Sequence, residues 1–270
     1  KAAGGFASIN LILTEKNEIR TVTEHNIPVL TAAGIVKNFG GIKALRGVDI
    51  KVNAGEVTAI VGDNGSGKST LIKILSGDLR PDEGTICTNG REYSSLTPKE
   101  ALAAGISAVY QDLSLDDYRD AAANIFLGNE LTHGGIFLRR REMRRIASSL
   151  IERLNIGIPD ITLPVGSFSG GQRQAVAVAR AIYHGRKLVI FDEPTAAMGV
   201  RESSAVLRLI SELASRGIGI VIICHNLHQV FDVADKICIM RRGRILQTVT
   251  ACGVRLDEVQ RMIMEADYVD

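Results

Sequence analysis

The sequence predicts an α/β fold built on a parallel β-sheet, and three nearly continuous apolar runs carry that prediction. These runs are VTAIV (57–61), KLVIF (187–191) and IGIVIIC (218–224). All three are rich in β-branched residues, which is typical of strands that are buried on both faces in a helix-covered parallel sheet. Helical patterns lie between the runs. They cover residues 68–76, 172–184 and 202–215.

Two regions depart from this core pattern. Short β-rich segments separated by glycines flank the first run, and GTICTNGREY (84–93) places Asn89-Gly90 between apolar residues, which is a hairpin signal. We therefore expect an antiparallel β subdomain. The stretch from about 112 to 165 is helical in pattern and rich in arginine, without a strong strand. It predicts an inserted helical subdomain.

These patterns divide the chain into three parts. Residues 1–30 show little periodicity and are expected to form an N-terminal extension, because Pro28 precedes the first convincing strand. Residues 31–250 form the main domain, which includes the helical subdomain at about 112–165. Residues 251–270 are expected to form a C-terminal helical tail.

The composition excludes several functional classes. Apolar residues make up 46% and charged residues 23% of the 270 residues, which excludes a largely disordered chain. A net charge of +2 and the absence of Trp argue against nucleic acid as a partner. The longest apolar stretches fall short of the roughly 20 residues that span a bilayer.

A glycine-rich loop follows the first apolar run. GDNGSGKST (62–70) fits the pattern G-x-x-x-x-G-K-[ST], in which glycines let backbone N–H groups surround phosphate oxygens. Lys68 supplies positive charge to the β- and γ-phosphates, and the Ser69 hydroxyl is a Mg²⁺ ligand. A chance turn is the alternative, but the preceding strand and following helix provide the context that phosphate binding requires. The expected nucleotide-binding residues here are Gly62, Asn64, Gly65, Gly67, Lys68, Ser69 and Thr70.

The second apolar run ends in two acids, within LVIFDEP (188–194). Asp192 at the strand end is placed to hold Mg²⁺, and Glu193 is placed to accept a proton from an attacking water. Two solvated acids that cap the next helix are the alternative. Ligands bind at the carboxyl ends of parallel strands, which favours the functional interpretation. Because no Asn-Lys-x-Asp guanine-reading motif is present, ATP is the expected nucleotide. Together, the glycine-rich loop and the parallel-sheet pattern predict a fold of the P-loop NTPase (RecA-like) type.

A second glycine turn opens a predicted helix at FSGGQRQ (168–174). Ser169 and the amides of Gly170 and Gly171 form an anion site at the helix start. A simple Ser N-cap followed by flexible glycines is the alternative.

The order of these three motifs resembles the nucleotide-binding subunits of ABC transporters, over residues 31–250. In that family the signature Ser169, Gly170, Gly171 and Gln172 would bind the γ-phosphate of ATP held by a second subunit, in a head-to-tail dimer. The resemblance also implies that Gln111 in AVYQD contacts Mg²⁺ and the attacking water, and that His225 in IICHN contacts the γ-phosphate. Taken alone, Gln111 and His225 would be a polar and a structural residue.

The resemblance further implies that Phe39 in VKNFGG stacks on adenine, although a core phenylalanine is a serious alternative. Gly199 stands where the family often has an aspartate, so that aspartate's role is not carried over. The segments EPTAAMGVRE and HNLHQVFDVADKICIMRRGR are similar to those of ATPases that power ribose, xylose and fructose import. Because the chain holds one set of motifs, it resembles the single-ATPase members.

What the resemblance implies about partners is a homodimer, transmembrane permease subunits and, indirectly, an external sugar-binding protein. The chain would then lie at the cytoplasmic face of the bacterial inner membrane. A soluble ABC ATPase, or the motor of a transporter for another substrate, is the alternative. The arginine-rich LRRREMRRIAS (138–148) is interpreted as a solvated helix face, with proximity to anionic lipid as a second possibility and nucleic-acid binding as the weakest.

Overall fold

The computed structural model describes residues 28–154, 156–185, 187–196 and 198–265. Within these residues, no helix combines the length and the apolar character needed to cross a membrane. The strands are β1 (Pro28–Phe39), β2 (Ile42–Asn53), β3 (Val57–Val61), β4 (Glu83–Thr88), β5 (Arg91–Tyr93), β6 (Ile106–Val109), β7 (Thr132–His133), β8 (Phe137–Leu138), β9 (Leu188–Asp192), β10 (Gly219–Ile223), β11 (Lys236–Arg241) and β12 (Arg244–Thr250). The helices are α1 (Lys68–Leu75), α2 (Pro98–Ala103), α3 (Ala121–Ile125), α4 (Arg140–Arg153), α5 (Gly170–His184), α6 (Val200–Ser215), α7 (Leu227–Val233) and α8 (Leu256–Glu265).

The central sheet has six strands in the order β12-β11-β3-β10-β9-β6. All neighbouring strands in it are parallel except β11 and β12, which form an antiparallel pair. The predicted parallel core is confirmed, and the run at 57–61 coincides with β3. Strands β9 and β10 also lie within one residue of the predicted runs at each end.

Both faces of the sheet are covered, because successive residues of the central strands enter different hydrophobic clusters. On β10, Ile220 and Ile222 pack into the cluster with α5, α6 and the helices α3 and α4. Val221 and Ile223 pack into the cluster formed with α1 and the antiparallel sheet. A strand whose side chains are apolar on both faces cannot alternate in polarity, which explains the continuous apolar runs of the sequence.

The antiparallel sheet has the order β2-β1-β4-β5. Its predicted hairpin is confirmed, because β4 and β5 pair across Asn89 and Gly90, whose φ angles are 54° and 70°. Positive φ at both central residues is the type I′ geometry that the right-handed twist of a hairpin favours. β1 begins at Pro28, three residues before the expected domain start, and residues 1–27 of the predicted extension lie outside the described residues.

The segment from 112 to 165 holds α3 and α4, which pack on α5. It also contains the short antiparallel pair β7 and β8, which the sequence interpretation missed. Each of these strands has two residues, so neither could produce a detectable alternation. In the predicted C-terminal tail, α8 covers Leu256–Glu265, and residues 266–270 lie outside the described part of the chain.

Candidate nucleotide-binding site

The glycine-rich loop connects β3 to α1, so it lies at the carboxyl end of a central strand. Gly62, Gly65 and Gly67 have φ angles of 150°, 80° and 106°, which side-chain-bearing residues rarely adopt. A Cβ on Gly62 would lie 1.9 Å from the backbone oxygen of Met240, on the neighbouring β11. The loop therefore depends on glycine for its dihedral angles and, at Gly62, also for space.

The Lys68 ammonium is held inside this loop. Its Nζ donates to the backbone oxygens of Gly62 and Asp63 at 2.8 and 2.7 Å, and lies 3.4 Å from Ser66 Oγ. The residue is 7% exposed. Burial lowers the pKa of Lys68, while the nearby carboxylates of Asp63, Asp192 and Glu193 act in the opposite direction. A positive charge is thus fixed in a loop whose backbone amides suit an anion.

The two acids lie at the carboxyl end of β9, the neighbour of β10 in the sheet: Asp192 is the last residue of the strand and Glu193 follows it. Asp192 is buried, and burial together with the charge of Glu193 raises the pKa of Asp192, against the effect of Lys68. Glu193 has a φ of 53°, an unusual value for a residue with a side chain. Its Oε1 lies 2.9 Å from His225 Nε2, and its amide donates to the Ile223 oxygen at 2.9 Å. Backbone strain of this kind costs on the order of 1–3 kcal/mol and is found most often at functional sites.

One cavity of about 390 Å³ unites these groups with the end of β6. This volume is within the range of about 300–1,000 Å³ that is usual for small-molecule sites. The predicted site residues that line it are Asn64, Gly65, Gly67, Lys68, Ser69, Thr70, Gln111, Asp192, Glu193 and His225. The fold therefore brings together residues that are up to 161 positions apart in the chain, from Asn64 to His225.

Sequence reasoning missed a second group of cavity residues, at the start of β2 and in the β11–β12 turn. They are Ile42, Lys43, Ala44, Arg46 and Arg242. The turn is fixed to the glycine-rich loop, because the Gly243 amide donates to the Ser66 oxygen at 2.9 Å and the Arg46 amide donates to the Gly243 oxygen at 2.8 Å. These contacts join residues that are distant in the sequence, so no local motif predicts them. The only local indication is the pair of positive charges in the Arg-Arg-Gly sequence of the β11–β12 turn.

Phe39 ends β1 and is 49% exposed, so the alternative that it is a core phenylalanine is wrong. Among the described residues, those that line the cavity include Ile42, the register partner of Phe39, and not Phe39 itself. The Lys37 ammonium lies 5.7 Å from the centre of the Phe39 ring. Stacking of Phe39 on adenine stays a prediction.

The signature residues lie at the start of α5, and none of them is among the described residues that line the cavity. Ser169 caps the helix: its Oγ accepts from the Gln172 amide at 3.3 Å, and the Gln172 Oε1 accepts from the Ser169 amide at 2.9 Å. Gln172 Nε2 donates to the Gly157 oxygen at 2.7 Å. The side chain of Gln172 is therefore engaged at both polar atoms, and anion binding by Ser169 and the amides of Gly170 and Gly171 stays a prediction.

Comparison with known proteins gives the family. A family model described as ABC transporter matches residues 45–196. The chain is 46% identical over 218 residues to the xylose/arabinose import ATP-binding protein XylG of Sulfolobus acidocaldarius, covering 81% of this chain and 86% of that relative. It is 47% identical over 226 residues to the fructose import ATP-binding protein FrcA of Rhizobium meliloti, covering 81% and 87%. It matches the ribose import ATP-binding protein RbsA of Yersinia pestis at 37% identity, over 89% of this chain and 47% of that relative.

Solved structures agree with this result. A nucleotide-free ATP-binding cassette from an ABC transporter matches with a TM-score of 0.74 and 29% identity, over 88% of this chain and 96% of that one. The ADP conformation of another such cassette matches with a TM-score of 0.71 and 27% identity, over 90% and 97%. The chain belongs to the ABC transporter family, and it is an ATP-binding and ATP-hydrolysing cassette with the predicted P-loop NTPase fold.

Proposed function

We propose that this chain is the ATP-hydrolysing subunit of an ABC importer for a monosaccharide. The observation that carries the proposal is the cavity in which the glycine-rich loop meets Asp192, Glu193, Gln111 and His225. The names of the relatives, which specify import of xylose/arabinose, fructose and ribose, support a monosaccharide as the transported solute. The alternatives of a soluble ATPase or another substrate have no comparable support.

Within the cavity, each side chain has a role that its chemistry suits. Lys68 provides charge to the β- and γ-phosphates, as a point cation held in the loop. Ser69, Gln111 and Asp192 would hold Mg²⁺, because hydroxyl, amide and carboxylate oxygens are the donors that this ion prefers beside phosphate. When bound, the ion supplies neutralisation of the charge that develops on the phosphates.

Glu193 and His225 form the reactive pair in this proposal. Glu193 accepts the proton of the attacking water, and general-base help of this kind is worth about 10²–10⁴ in rate. The 2.9 Å contact orients the carboxylate toward the imidazole, and His225 is 49% exposed on its side chain, so it can also reach the γ-phosphate. Phosphoryl transfer needs positioning and electrostatic support more than covalent chemistry, which is what these groups can provide.

The signature turn is assigned to a neighbouring subunit's nucleotide. Its residues do not line the cavity of their own chain, yet they retain helix-start amides suited to an anion. A head-to-tail homodimer satisfies both facts, because each signature then closes the other chain's cavity. Two ATP molecules would lie between the two copies.

The permease would contact a groove beside the helical subdomain, at the cytoplasmic face of the inner membrane. The helical subdomain itself contains a cavity of about 250 Å³, which is lined by residues 118–120 and 122–123, the β8–α4 junction, Thr162 and Pro164. Its rim exposes large apolar side chains, with Tyr118 at 93% and Leu138 at 45% exposure. An apolar, partly basic groove suits a short amphipathic segment of a membrane partner. An external binding protein would deliver the sugar to the permease.

Light scattering of Glu193→Gln tests the dimer and the site together. With MgATP this variant should change from monomer to dimer, because ATP binds but is not hydrolysed. The double variant Glu193→Gln/Lys68→Ala should remain monomeric, since it lacks the phosphate-binding charge. A monomer at saturating MgATP in the single variant would reject a self-sufficient homodimer, and sustained hydrolysis by it would reject Glu193 as the base.

Reconstitution tests the transported solute. The chain should co-purify with its permease, and liposomes that contain both should accumulate labelled xylose, fructose or ribose when supplied with MgATP and binding protein. Glu193→Gln serves as the matched control. ATP-dependent uptake of a non-sugar solute, with none of any monosaccharide, would contradict the substrate assignment.

A further inference from the structure

The reactive pair is carried by two separate turns. Glu193 begins the turn after β9, and His225 is the second residue of the connection after β10, the adjacent parallel strand. Glu193 is in a left-handed conformation and His225 is exposed, so the 2.9 Å contact between them depends on how the two turns are held relative to each other. The parallel pairing of β9 and β10 fixes the positions at which the two turns begin, and contacts beyond the strands must fix the rest of each turn.

Gln229, on α7, joins the two turns beyond the strands. Its Oε1 accepts from Thr195 Oγ1 at 2.8 Å and from Cys224 Sγ at 3.3 Å. Thr195 lies two residues after Glu193, and Cys224 directly precedes His225. Both donors are nearly inaccessible to water, at 8% and 6% exposure. One amide oxygen therefore connects the two turns, through Thr195 two residues after Glu193 and through Cys224 next to His225.

The bridging atoms are themselves fixed. The Asn226 side chain caps α7, because its Oδ1 accepts from the His228 and Gln229 amides at 3.0 and 3.5 Å. Burial raises the pKa of the Cys224 thiol, which therefore keeps its proton and remains a donor. The turn after Glu193 is closed by a hydrogen bond from the Ala196 amide to the Glu193 oxygen at 3.2 Å.

We propose that Gln229 is a positioning residue for hydrolysis, which holds the Glu193 turn and the His225 connection in register through Thr195 and Cys224. The inference rests on the proposed function, since it assigns meaning to the Glu193–His225 contact. Without the bridge, the carboxylate and the imidazole can separate while the phosphate loop stays intact. A displacement of about 1 Å at a reacting group can cost on the order of 10²-fold in rate.

We therefore expect loss of the bridge to lower kcat while KM stays nearly unchanged. Gln229→Leu and Thr195→Val should each lower kcat for MgATP at least about tenfold, with KM changed less than about twofold, because Lys68 and its loop are untouched. Thr195→Ser keeps the hydroxyl and should keep most of the activity. Gln247→Leu is the matched control, because Gln247 is an exposed glutamine on β12 and should leave both constants unchanged.

The double variant Gln229→Leu/Thr195→Val separates positioning from plain stability. Replacing both partners removes the buried hydroxyl that Gln229→Leu leaves unpaired, so the melting temperature should recover relative to Gln229→Leu alone. If Gln229 positions the pair, kcat stays low in this stable double variant. If kcat recovers together with the melting temperature, the role is structural and the inference is wrong.

Glu193→Gln in the same assay keeps the two proposals distinguishable. An inactive Glu193→Gln with a fully active Gln229→Leu overturns only the role of Gln229. An active Glu193→Gln overturns the proposed reactive pair itself, and with it the inference.

Discussion

Arg180 on α5 holds the chain segment that follows Gln111. Its Nη2 donates to the Leu113 oxygen at 2.6 Å, and its Nη1 donates to the Ser114 oxygen at 2.8 Å. We predict that Arg180→Met, which keeps the bulk of the stem, destabilises the protein by about 2–4 kcal/mol. Loss of the half-buried hydrogen bond to Leu113 accounts for about 1.5–3 kcal/mol of this, because its donor is charged. Loss of the exposed hydrogen bond to Ser114 costs about 1 kcal/mol or less, because water can take its place.

Thermal unfolding is the assay for this prediction. For a chain of 270 residues, about 2–4 kcal/mol corresponds to a decrease in Tm of roughly 4–7 °C. Arg180→Lys keeps the charge but not the two-pronged geometry, so its decrease should be about half as large. Arg208→Met, on the exposed face of α6, is the control and should change stability by less than about 0.5 kcal/mol. A decrease below about 2 °C in Arg180→Met would refute the reasoning.

Two other predictions concern a half-buried ion pair and the glycine-rich loop. Burial would raise the pKa of Glu56, but hydrogen bonds and the charge of Lys236, 2.6 Å away, hold that pKa below its usual value. The resulting stability is complete above the usual pKa and is lost as pH falls through the lowered one. Urea unfolding should therefore show Glu56→Gln weaker by about 1.5 kcal/mol at pH 7, with a deficit that shrinks as the pH falls below the usual pKa of glutamate. A deficit that stays constant as the pH falls would contradict this. Gly62→Ala should cost about 3 kcal/mol or more and abolish ATP binding, because its Cβ would meet the Met240 oxygen at 1.9 Å. Gly65→Ala, at φ 80° with open space around the Cβ, should cost only about 1 kcal/mol, and equal losses in the two variants would reject the steric account.

The core strands could be predicted from the sequence because burial on both faces determines the amino-acid composition of each strand by itself. A strand buried on both faces must be apolar throughout, which is why β3 was located to the residue. The glycine-rich loop was equally accessible, since the dihedral angles of Gly62 and Gly67 exclude most other residues. The Asn89-Gly90 turn belongs to the same class, in which a backbone geometry selects a few residue types.

What the sequence did not predict depends on long-range contacts. The positive φ of Glu193 could not be predicted from its residue type, because glutamate rarely adopts positive φ. The hydrogen bond from its amide to the Ile223 oxygen and the turn that follows hold it in this conformation. Arg242 reaches the cavity because the β11–β12 turn is fixed to the phosphate loop. Gln229 lies on a short helix whose sequence reads as an ordinary amphipathic segment.

The strand order explains how one site can be both rigid and adjustable. Along the sheet, β3, β10, β9 and β6 place the phosphate loop, His225, the acid pair and Gln111 side by side, although the chain visits β6 second. The first three strands each have neighbours on both sides, whereas β6 is an edge strand paired only with β9. Gln111 therefore follows the strand that, among these four, has a single neighbour in the sheet, and the segment after it is held by Arg180 of α5. A displacement of the helical subdomain would consequently reach Gln111 while Lys68, Asp192 and Glu193 keep their positions.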